Sequence, residues 1–306
     1  MKLRIGHLST FYHTAILLMA EGSVDRQLGA SAEWKLFGTG PAIVNAFERG
    51  ELDLAYIGLP PAIIGIARGV AIKCIGGGHV EGTVISAKGR YAGFPRIQSL
   101  ADILKQFRGL KIGVPGKGSI HDVIITDCLE KHGLKESVGI VNFPWADQVL
   151  EAVVRDEVAA AVGTPALAAA VKRYAGGKVL YPPSMLWPDN PSYGILAHTR
   201  FLGGQRELAE GFLRMHEDAT AFLRNNPEDA AKTIAGYVGI VDKELVLDTL
   251  SISPRYCARL TEGYISSTME FVRALRRLGY IQREVSSDEI FDPALIDKVH
   301  PERDHY

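Results

Sequence analysis

The sequence is poor in cysteine, with three among its 306 residues, at positions 74, 128 and 257. An odd number at such wide spacing excludes a dense disulfide framework and leaves one disulfide at most, or three buried thiols. Each cysteine lies in an apolar or helix-like context, which favours inert packing in the core. No Cys-X2-Cys or His-X3-His pair occurs, so we expect neither a metal site nor a cofactor.

An excess of charge of one sign is also lacking, because 34 basic residues balance 35 acidic ones. A balanced chain without a polybasic run has no general attraction for nucleic acid or for an anionic membrane. We therefore expect no nucleic-acid partner.

Long apolar runs are missing as well. The apolar run at residues 15–20 is much shorter than the roughly 18 residues of a membrane helix, and it follows polar residues instead of the basic start of a secretory signal. The expected location is the periplasm or another extracytoplasmic space if a signal segment has been removed. Otherwise, the expected location is the cytoplasm.

What the sequence does contain is an internal repeat. Residues 3–6 and 110–113 each begin a pattern of strand, polar loop and helix. At nearly equal distances downstream, residues 49–55 and 155–161 are also alike, and each leads to a glycine and then a proline. We infer two lobes built on one strand–helix–strand plan. The alternative is a set of unrelated βα units that align by chance.

Alternating strands and helices predict an α/β fold with mixed, mostly parallel sheets flanked by helices. Ligands of such sheets gather at the carboxyl ends of the strands, so we expect a ligand cleft between the lobes. Extended segments at residues 83–88 and 192–197 predict two crossings between the lobes. The expected division is 1–89 with 193–306 for the first lobe, which includes the C-terminal helices, and 90–192 for the second.

Two loops of the first lobe contain candidate ligand contacts. Those that follow the first strand are Ser9, Thr10, Tyr12 and His13. The alternative role for this loop is helix capping, in which the hydroxyl of Thr10 or Thr14 binds free backbone amides. The second loop contains Gly38, Thr39 and Gly40, where glycine lets a ligand approach the backbone. Here the alternative is an ordinary tight turn.

A glycine-rich segment precedes the helix of the second repeat, and its candidate contacts are Lys117, Gly118, Ser119, Ile120 and His121. The segment lacks the GxxxxGK[ST] order of a nucleotide-binding loop. The free amides of a helix start suit an anion, and the Ser119 hydroxyl is expected to add a donor. The alternatives are that Lys117 points to solvent and that His121 caps the helix or packs.

These features resemble the nitrate, taurine and alkanesulfonate group of ABC-transporter substrate-binding proteins, which includes thiamine-pyrimidine-binding relatives. The matching segments are residues 3–6, 17–22, 38–40, 46–55, 110–115 and 222–231. The resemblance spans nearly the whole chain and implies a type II periplasmic-binding fold. It also implies ligand contacts from the loop after the first strand, the turn at 38–41, the Gly58–Leu59 loop and the helix start near Ser119.

The sequence departs from this group at one position. The group usually has an acidic residue before a proline in the second lobe, whereas this chain has Thr164 before Pro165. Thr164 remains a candidate contact. The missing acid disfavours a cationic or pyrimidine ligand and favours a neutral or anionic one.

The resulting prediction is a monomeric solute-binding protein of an ABC importer, with a permease as its partner. It would close an interlobe cleft around a small organic or oxyanionic ligand such as a sulfonate, nitrate or carboxylate. One alternative is an enzyme of the same fold, of the pyrimidine-synthesis, desulfinase or menaquinone-pathway kind. The first kind needs a cysteine cluster and the second a cysteine in the cleft, and no cysteine falls in the predicted loops. The other alternative is a cytosolic ligand sensor.

Overall fold

The computed structural model describes residues 2–306 as an α/β fold with two five-stranded sheets. The strands are β1 (Lys2–Leu8), β2 (Ser31–Phe37), β3 (Leu54–Ile57), β4 (Ile72–Val80), β5 (Val84–Lys88), β6 (Lys111–Pro115), β7 (Gly139–Phe143), β8 (Ala160–Gly163), β9 (Gly177–Val179) and β10 (Pro191–His198). The helices are α1 (Ala15–Glu21), α2 (Ser23–Leu28), α3 (Gly40–Glu48), α4 (Leu59–Ala67), α5 (Leu100–Lys105), α6 (Ile120–Lys131), α7 (Ala146–Val154), α8 (Pro165–Ala175), α9 (Pro183–Leu186), α10 (Thr199–Gly204), α11 (Arg206–Asn225), α12 (Pro227–Val238), α13 (Lys243–Ile252), α14 (Glu262–Arg277), α15 (Ser287–Ile290) and α16 (Ala294–Val299).

The two sheets share one topology, as the sequence repeat predicts. The strand order is β2-β1-β3-β10-β4 in the first sheet and β7-β6-β8-β5-β9 in the second. In each sheet the first three strands are parallel, and the fourth runs antiparallel to its neighbours. That fourth strand is the one that has just crossed from the other sheet. The fold class predicted from the sequence is therefore confirmed.

The central strands explain why both sheets need helices on two faces. All four residues of β3 and all four of β8 are buried, and both strands are short apolar runs. Parallel strands of this kind are stable only when helices cover both faces of the sheet. The loops that follow these strands leave from the carboxyl edge of each sheet. This is the edge at which the sequence predicts the ligand.

The crossings between the sheets lie at residues 81–83 and 180–190. The structure differs from the predicted boundary at the first crossing, because Val84–Lys88 pairs with β8 and β9 of the second sheet. Helix α13 also departs from the predicted division, which placed it in the first lobe. Asp242 at its start binds Arg173 of α8, on the second sheet, at 2.7 Å. We propose lobes of residues 2–80 with 191–306 and 84–179, with α13 packed on the second lobe.

Hydrogen bonds link the two crossings side by side. The Glu81 amide donates to the Asn190 carbonyl at 2.9 Å, and the Gly82 amide donates to the Ser192 hydroxyl. Glu81 and Asp189 adopt the left-handed backbone conformation, with φ of 62° and 53°. Non-glycine residues rarely do so outside turns and functional segments. The lobes are thus joined by two connections that contact each other, and each contains a residue of unusual backbone conformation.

The structure bears on the expectations for membrane-spanning segments and for the cysteines. No helix within residues 2–306 has both the length and the apolar character needed to cross a bilayer. Cys74, Cys128 and Cys257 are buried free thiols, which is one of the two arrangements left open above.

Candidate ligand site between the two sheets

A cavity lies between the two sheets, where the carboxyl ends of their parallel strands face each other. Its lining comes from the ends of β1 and β6 and from the loops after β2, β3, β7 and β8. Every contact residue predicted from the sequence lines this cavity except Leu59, Lys117 and Gly118. The lining residues that the sequence analysis did not select are Leu8, Pro61, Pro115, Ala146 and Ser192.

Local structure explains why three predicted residues lie elsewhere. Leu59 is the first residue of α4 and is fully buried in the core. The Lys117 side chain lines a separate surface groove near Asp122 and Tyr280. Gly118 has a φ of +79°, and its amide donates to the Asp122 carboxylate at 2.7 Å instead of facing the cavity.

The amino termini of five helices converge on the cavity. Helices α3 and α4 contribute from the first lobe, and α6, α7 and α8 contribute from the second. Prolines in the first turn remove some donors from α3, α4 and α8. Helix α6 has no proline there, so it keeps the amides of Ile120 and His121 as donors. Because these amides lie in the first turn, they lack intrahelical acceptors. Each amino terminus also has a partial positive charge, which favours a negatively charged group in the cavity.

The cavity lining combines apolar side chains with hydroxyl and imidazole groups, without a charged side chain. No aspartate, glutamate, lysine or arginine is among its described lining residues. Its two histidines are neutral at pH 7, because burial lowers the pKa of His121 to about 4 and lowers the pKa of His13 well below its usual value. The electrostatic field in the cavity therefore comes mainly from the helix termini and the hydroxyl groups.

Two polar groups on lining residues have no partner in the described part of the chain. Thr10 Oγ1 and His13 Nδ1 are buried and make no hydrogen bond within residues 2–306. Unpaired buried polar atoms are uncommon and costly, so groups of this kind at a cavity wall are suited to a ligand. The capping alternative for Thr10 is wrong, because its side chain binds no helix amide in this part of the chain.

Ser119 requires a correction. Its hydroxyl donates to the Pro115 carbonyl at 2.6 Å and accepts from the Asp122 amide at 3.2 Å. A serine has a single hydroxyl hydrogen, so Ser119 acts as the cap of α6 and has no donor left for a ligand. The helix begins after the glycines as predicted, and its free donors are backbone amides.

Aromatic rings form one wall of the cavity. The His13 ring lies 4.0 Å from the ring of Tyr193 and 4.7 Å from that of Tyr12, measured between centroids. The Tyr193 hydroxyl is held by Thr14 Oγ1 at 2.8 Å. This packing fixes the position of His13, whose Nδ1 is one of the unpaired atoms.

Glycine permits the two lobes to meet around the cavity. A Cβ atom on Gly38, in the first lobe, would lie 2.7 Å from the Pro144 carbonyl oxygen and 3.1 Å from the Trp145 ring, in the second lobe. A Cβ on Gly116 would lie 2.6 Å from Thr39 across the same boundary. The structure is therefore a closed arrangement of the two lobes.

Comparison with known proteins supports this fold. A Brucella abortus protein, provisionally named a binding protein, is 28% identical over 247 residues, which are 78% of this chain and 72% of that protein. The alkanesulfonate-binding protein of Xanthomonas axonopodis pv. citri, bound to MOPS, superposes with a TM-score of 0.80 at 18% identity and covers 95% of this chain and 98% of its own.

The periplasmic nitrate-binding protein of Synechocystis superposes with a TM-score of 0.78 at 13% identity, covering 98% of this chain and 88% of its own. These likenesses confirm the predicted periplasmic-binding fold. The model of the NMT1-like family matches residues 1–238. The chain therefore belongs to the NMT1-like family.

Proposed function

We propose that this protein is the solute-binding component of an ABC importer and captures a small organic or inorganic oxyanion between its lobes. Sulfonates, carboxylates and nitrate are the candidate ligands. The observation that carries the proposal is the convergence of five helix amino termini, from both lobes, on one cavity whose lining has no charged side chain. The binding activities named for the similar Xanthomonas and Synechocystis proteins support the same class of ligand.

Typical interaction free energies favour an anion over a cation as the ligand of this cavity. A helix terminus stabilises a nearby anion by about 0.3–1 kcal/mol, and by up to about 2 kcal/mol in partly buried geometry. A hydrogen bond to a charged group contributes about 1.5–3 kcal/mol. A cation in the same cavity would lose its hydration and meet positive helix ends without a carboxylate partner. The cavity lining therefore favours anionic ligands over cationic ones.

The cavity is better suited to binding than to catalysis. None of the three cysteines belongs to its lining. His121, hydrogen-bonded to the Thr83 hydroxyl at 2.9 Å, has a pKa of about 4 and is a weak proton acceptor at pH 7. A nucleophile paired with a well-matched base, as an acyl- or group-transfer enzyme requires, is not formed by these residues.

Ligand binding and lobe closure are linked by the position of the donors. Amides from α3 and α4 lie on one lobe, and those from α6, α7 and α8 lie on the other. A ligand that contacts both sets binds the closed arrangement more tightly than the open one, and this difference in affinity drives closure. The paired crossings at residues 81–83 and 180–190 would form the hinge.

A ligand screen tests the proposed function. We expect an alkanesulfonate, a small carboxylate or nitrate to raise the melting temperature, while an alcohol and an alkylamine of equal size do not. Saturation at 100 times the Kd corresponds to about 2.7 kcal/mol of added stability. Mass spectrometry after long incubation should recover the ligand unchanged. Stabilisation by the amine alone, or conversion of the ligand at catalytic turnover, would reject the proposal.

Two substitutions should separate ligand contact from helix capping. Thr10→Val removes an unpaired hydroxyl, so we expect a loss of about 1.5–3 kcal/mol in ligand affinity with little change in the free energy of unfolding. Ser119→Ala should do the reverse, with a loss of about 0.5–2 kcal/mol in stability as a cap is removed and little change in affinity. Urea unfolding and titration calorimetry measure the two quantities. Equal effects of both variants on affinity would contradict the assignment.

A further inference from the structure

A cluster of potential metal ligands lies near the carboxyl end of the chain, away from the cavity lining. Cys257 Sγ is 3.6 Å from His300 Nε2 and 3.5 Å from His305 Nδ1, and the two nitrogen atoms are 3.1 Å apart. Cys257 and His300 are buried, while His305 is exposed. Cys257 is distant in the sequence from the two histidines, which are themselves five positions apart. The fold nevertheless brings one sulfur and two nitrogen atoms to a common point.

These separations are close to the edges of a zinc tetrahedron. Zinc lies about 2.3 Å from a thiolate sulfur and about 2.0–2.1 Å from an imidazole nitrogen. A tetrahedral angle between such bonds places sulfur and nitrogen about 3.6 Å apart and the two nitrogen atoms about 3.3 Å apart. The three separations therefore differ from those of a zinc site by only a few tenths of an ångström.

Glu217 on α11 lies beside the cluster, and a change of its side-chain rotamer would bring it in as a fourth ligand. Its Oε1 atom is 3.9 Å from His300 Nε2 and accepts a hydrogen bond from Arg224 at 3.1 Å. Its Oε2 atom is buried and has no hydrogen-bond partner within residues 2–306. One thiolate and one carboxylate would balance the charge of a divalent cation, while Arg224, 3.1 Å from Glu217 and 3.5 Å from His305 Nε2, adds one positive charge beside the site.

An outer carboxylate completes the arrangement. Glu302 Oε2 lies 3.4 Å from His300 Nδ1, although the two groups are not aligned for a hydrogen bond. A carboxylate that hydrogen-bonds to a ligating histidine is typical of zinc sites, and Glu302 would take this role only after a small rotation of its side chain.

We propose that Cys257, His300 and His305 bind one Zn²⁺ ion, with Glu217 as the fourth ligand. Four protein ligands leave no open position, so the ion would have a structural role. It would fasten the C-terminal segment, residues 300–306, to α11 and to the segment around Cys257. Because these residues do not line the cavity, the proposal stands or falls independently of the anion site.

The test uses the full chain without an affinity tag, stripped of metal by a chelator. Zn²⁺ is titrated by calorimetry, and Co²⁺ is added in parallel as a spectroscopic substitute. The variants are Cys257→Ser and His305→Gln. The matched controls are Cys128→Ser, a buried cysteine on α6, and His132→Gln, an exposed histidine at the end of that helix. His305→Gln is included because its exposed position leaves folding intact if Cys257→Ser does not fold.

We expect one zinc ion per chain, a higher melting temperature with zinc, and the intense visible spectrum of tetrahedral Co²⁺ with a thiolate charge-transfer band. His305→Gln should weaken zinc binding by more than the roughly 10–100-fold loss typical of an outer partner, and Cys257→Ser should abolish the charge-transfer band. Both controls should behave as wild type. Zinc uptake that is absent from the wild type, or unchanged in His305→Gln, would show that the three side chains only hydrogen-bond to one another.

Discussion

Replacing Gly38 by alanine is expected to weaken ligand binding by about 1–3 kcal/mol, or roughly 5–150-fold, because the new Cβ atom opposes closure of the lobes. Its nearest neighbour would be the Pro144 carbonyl oxygen at 2.7 Å, and backbone of this kind cannot move aside as a flexible side chain can. The backbone of Gly38 does not need a positive φ, so alanine causes no local strain there. Only the closed arrangement contains the clash, so the cost appears in affinity. Titration calorimetry with the ligand from the screen measures it.

Gly236→Ala is the matched control, because nothing lies within 4 Å of a Cβ at that position in α12. It should bind as wild type, and Gly38→Val should bind more weakly than Gly38→Ala. Wild-type affinity in both Gly38 variants would mean that the ligand binds without this contact between the lobes.

Acidification from pH 7.5 to pH 5 is expected to destabilise the ligand-free protein by several kcal/mol. Burial within the first lobe lowers the pKa of His79 and His216 to about 4 each. In the unfolded chain each titrates near pH 6.5, so the unfolded state binds protons first as the pH falls. Stability is therefore intact above about pH 6.5 and decreases as the pH drops towards 4. At pH 5 the cost is about 2 kcal/mol for each histidine, against a typical total of about 5–15 kcal/mol.

His216 offers the clearest variant for this effect. Its Nε2 donates to the Gly77 carbonyl at 2.9 Å, and its Nδ1 accepts from the Tyr56 hydroxyl at 3.2 Å, so the bond at Nδ1 requires the neutral ring. His216→Gln should lower stability at pH 7.5 but reduce its dependence on pH, whereas the exposed control His132→Gln should leave that dependence unchanged. Urea unfolding at pH 7.5, 6 and 5 gives the comparison. A free energy of unfolding that is constant over this range in the wild type would contradict the assignment of neutral buried histidines.

The fold was predictable because the repeat specifies it twice. Short apolar strands followed by glycine and proline occur at matched positions in both halves, and both form central parallel strands. The location of the site followed from the same pattern, since loops after such strands gather at one edge of each sheet. Thr10, His13 and Thr164 reach the cavity for this reason.

Features that depend on tertiary contacts could not be predicted. The apolar strand at Val84–Lys88 is compatible with either sheet, and only its pairing with β8 decides the matter. The direction of Lys117 is set by the backbone conformation of the glycines beside it. Pro61 and Ala146 line the cavity through their position at helix starts, and their side chains carry no chemical signal.

The proposed metal ligands form a sequence pattern that does not identify a metal site by itself. His300 and His305 are separated by four residues, which lies within the spacing common in zinc sites. Their cysteine partner stands 43 residues before His300, so a search for closely spaced pairs does not find it. Only the packing of the C-terminal segment on α11 brings the three together.

Small-angle X-ray scattering with and without a saturating anionic ligand tests the central claim most directly. The account predicts that the ligand reduces the radius of gyration of the wild type, because helix amino termini on both lobes bind the same anion and draw the lobes together. The scattering curve with ligand should match the one calculated for the closed structure described here. An unchanged radius of gyration in the presence of a ligand whose saturation is verified by calorimetry would contradict hinge closure around an interlobe anion.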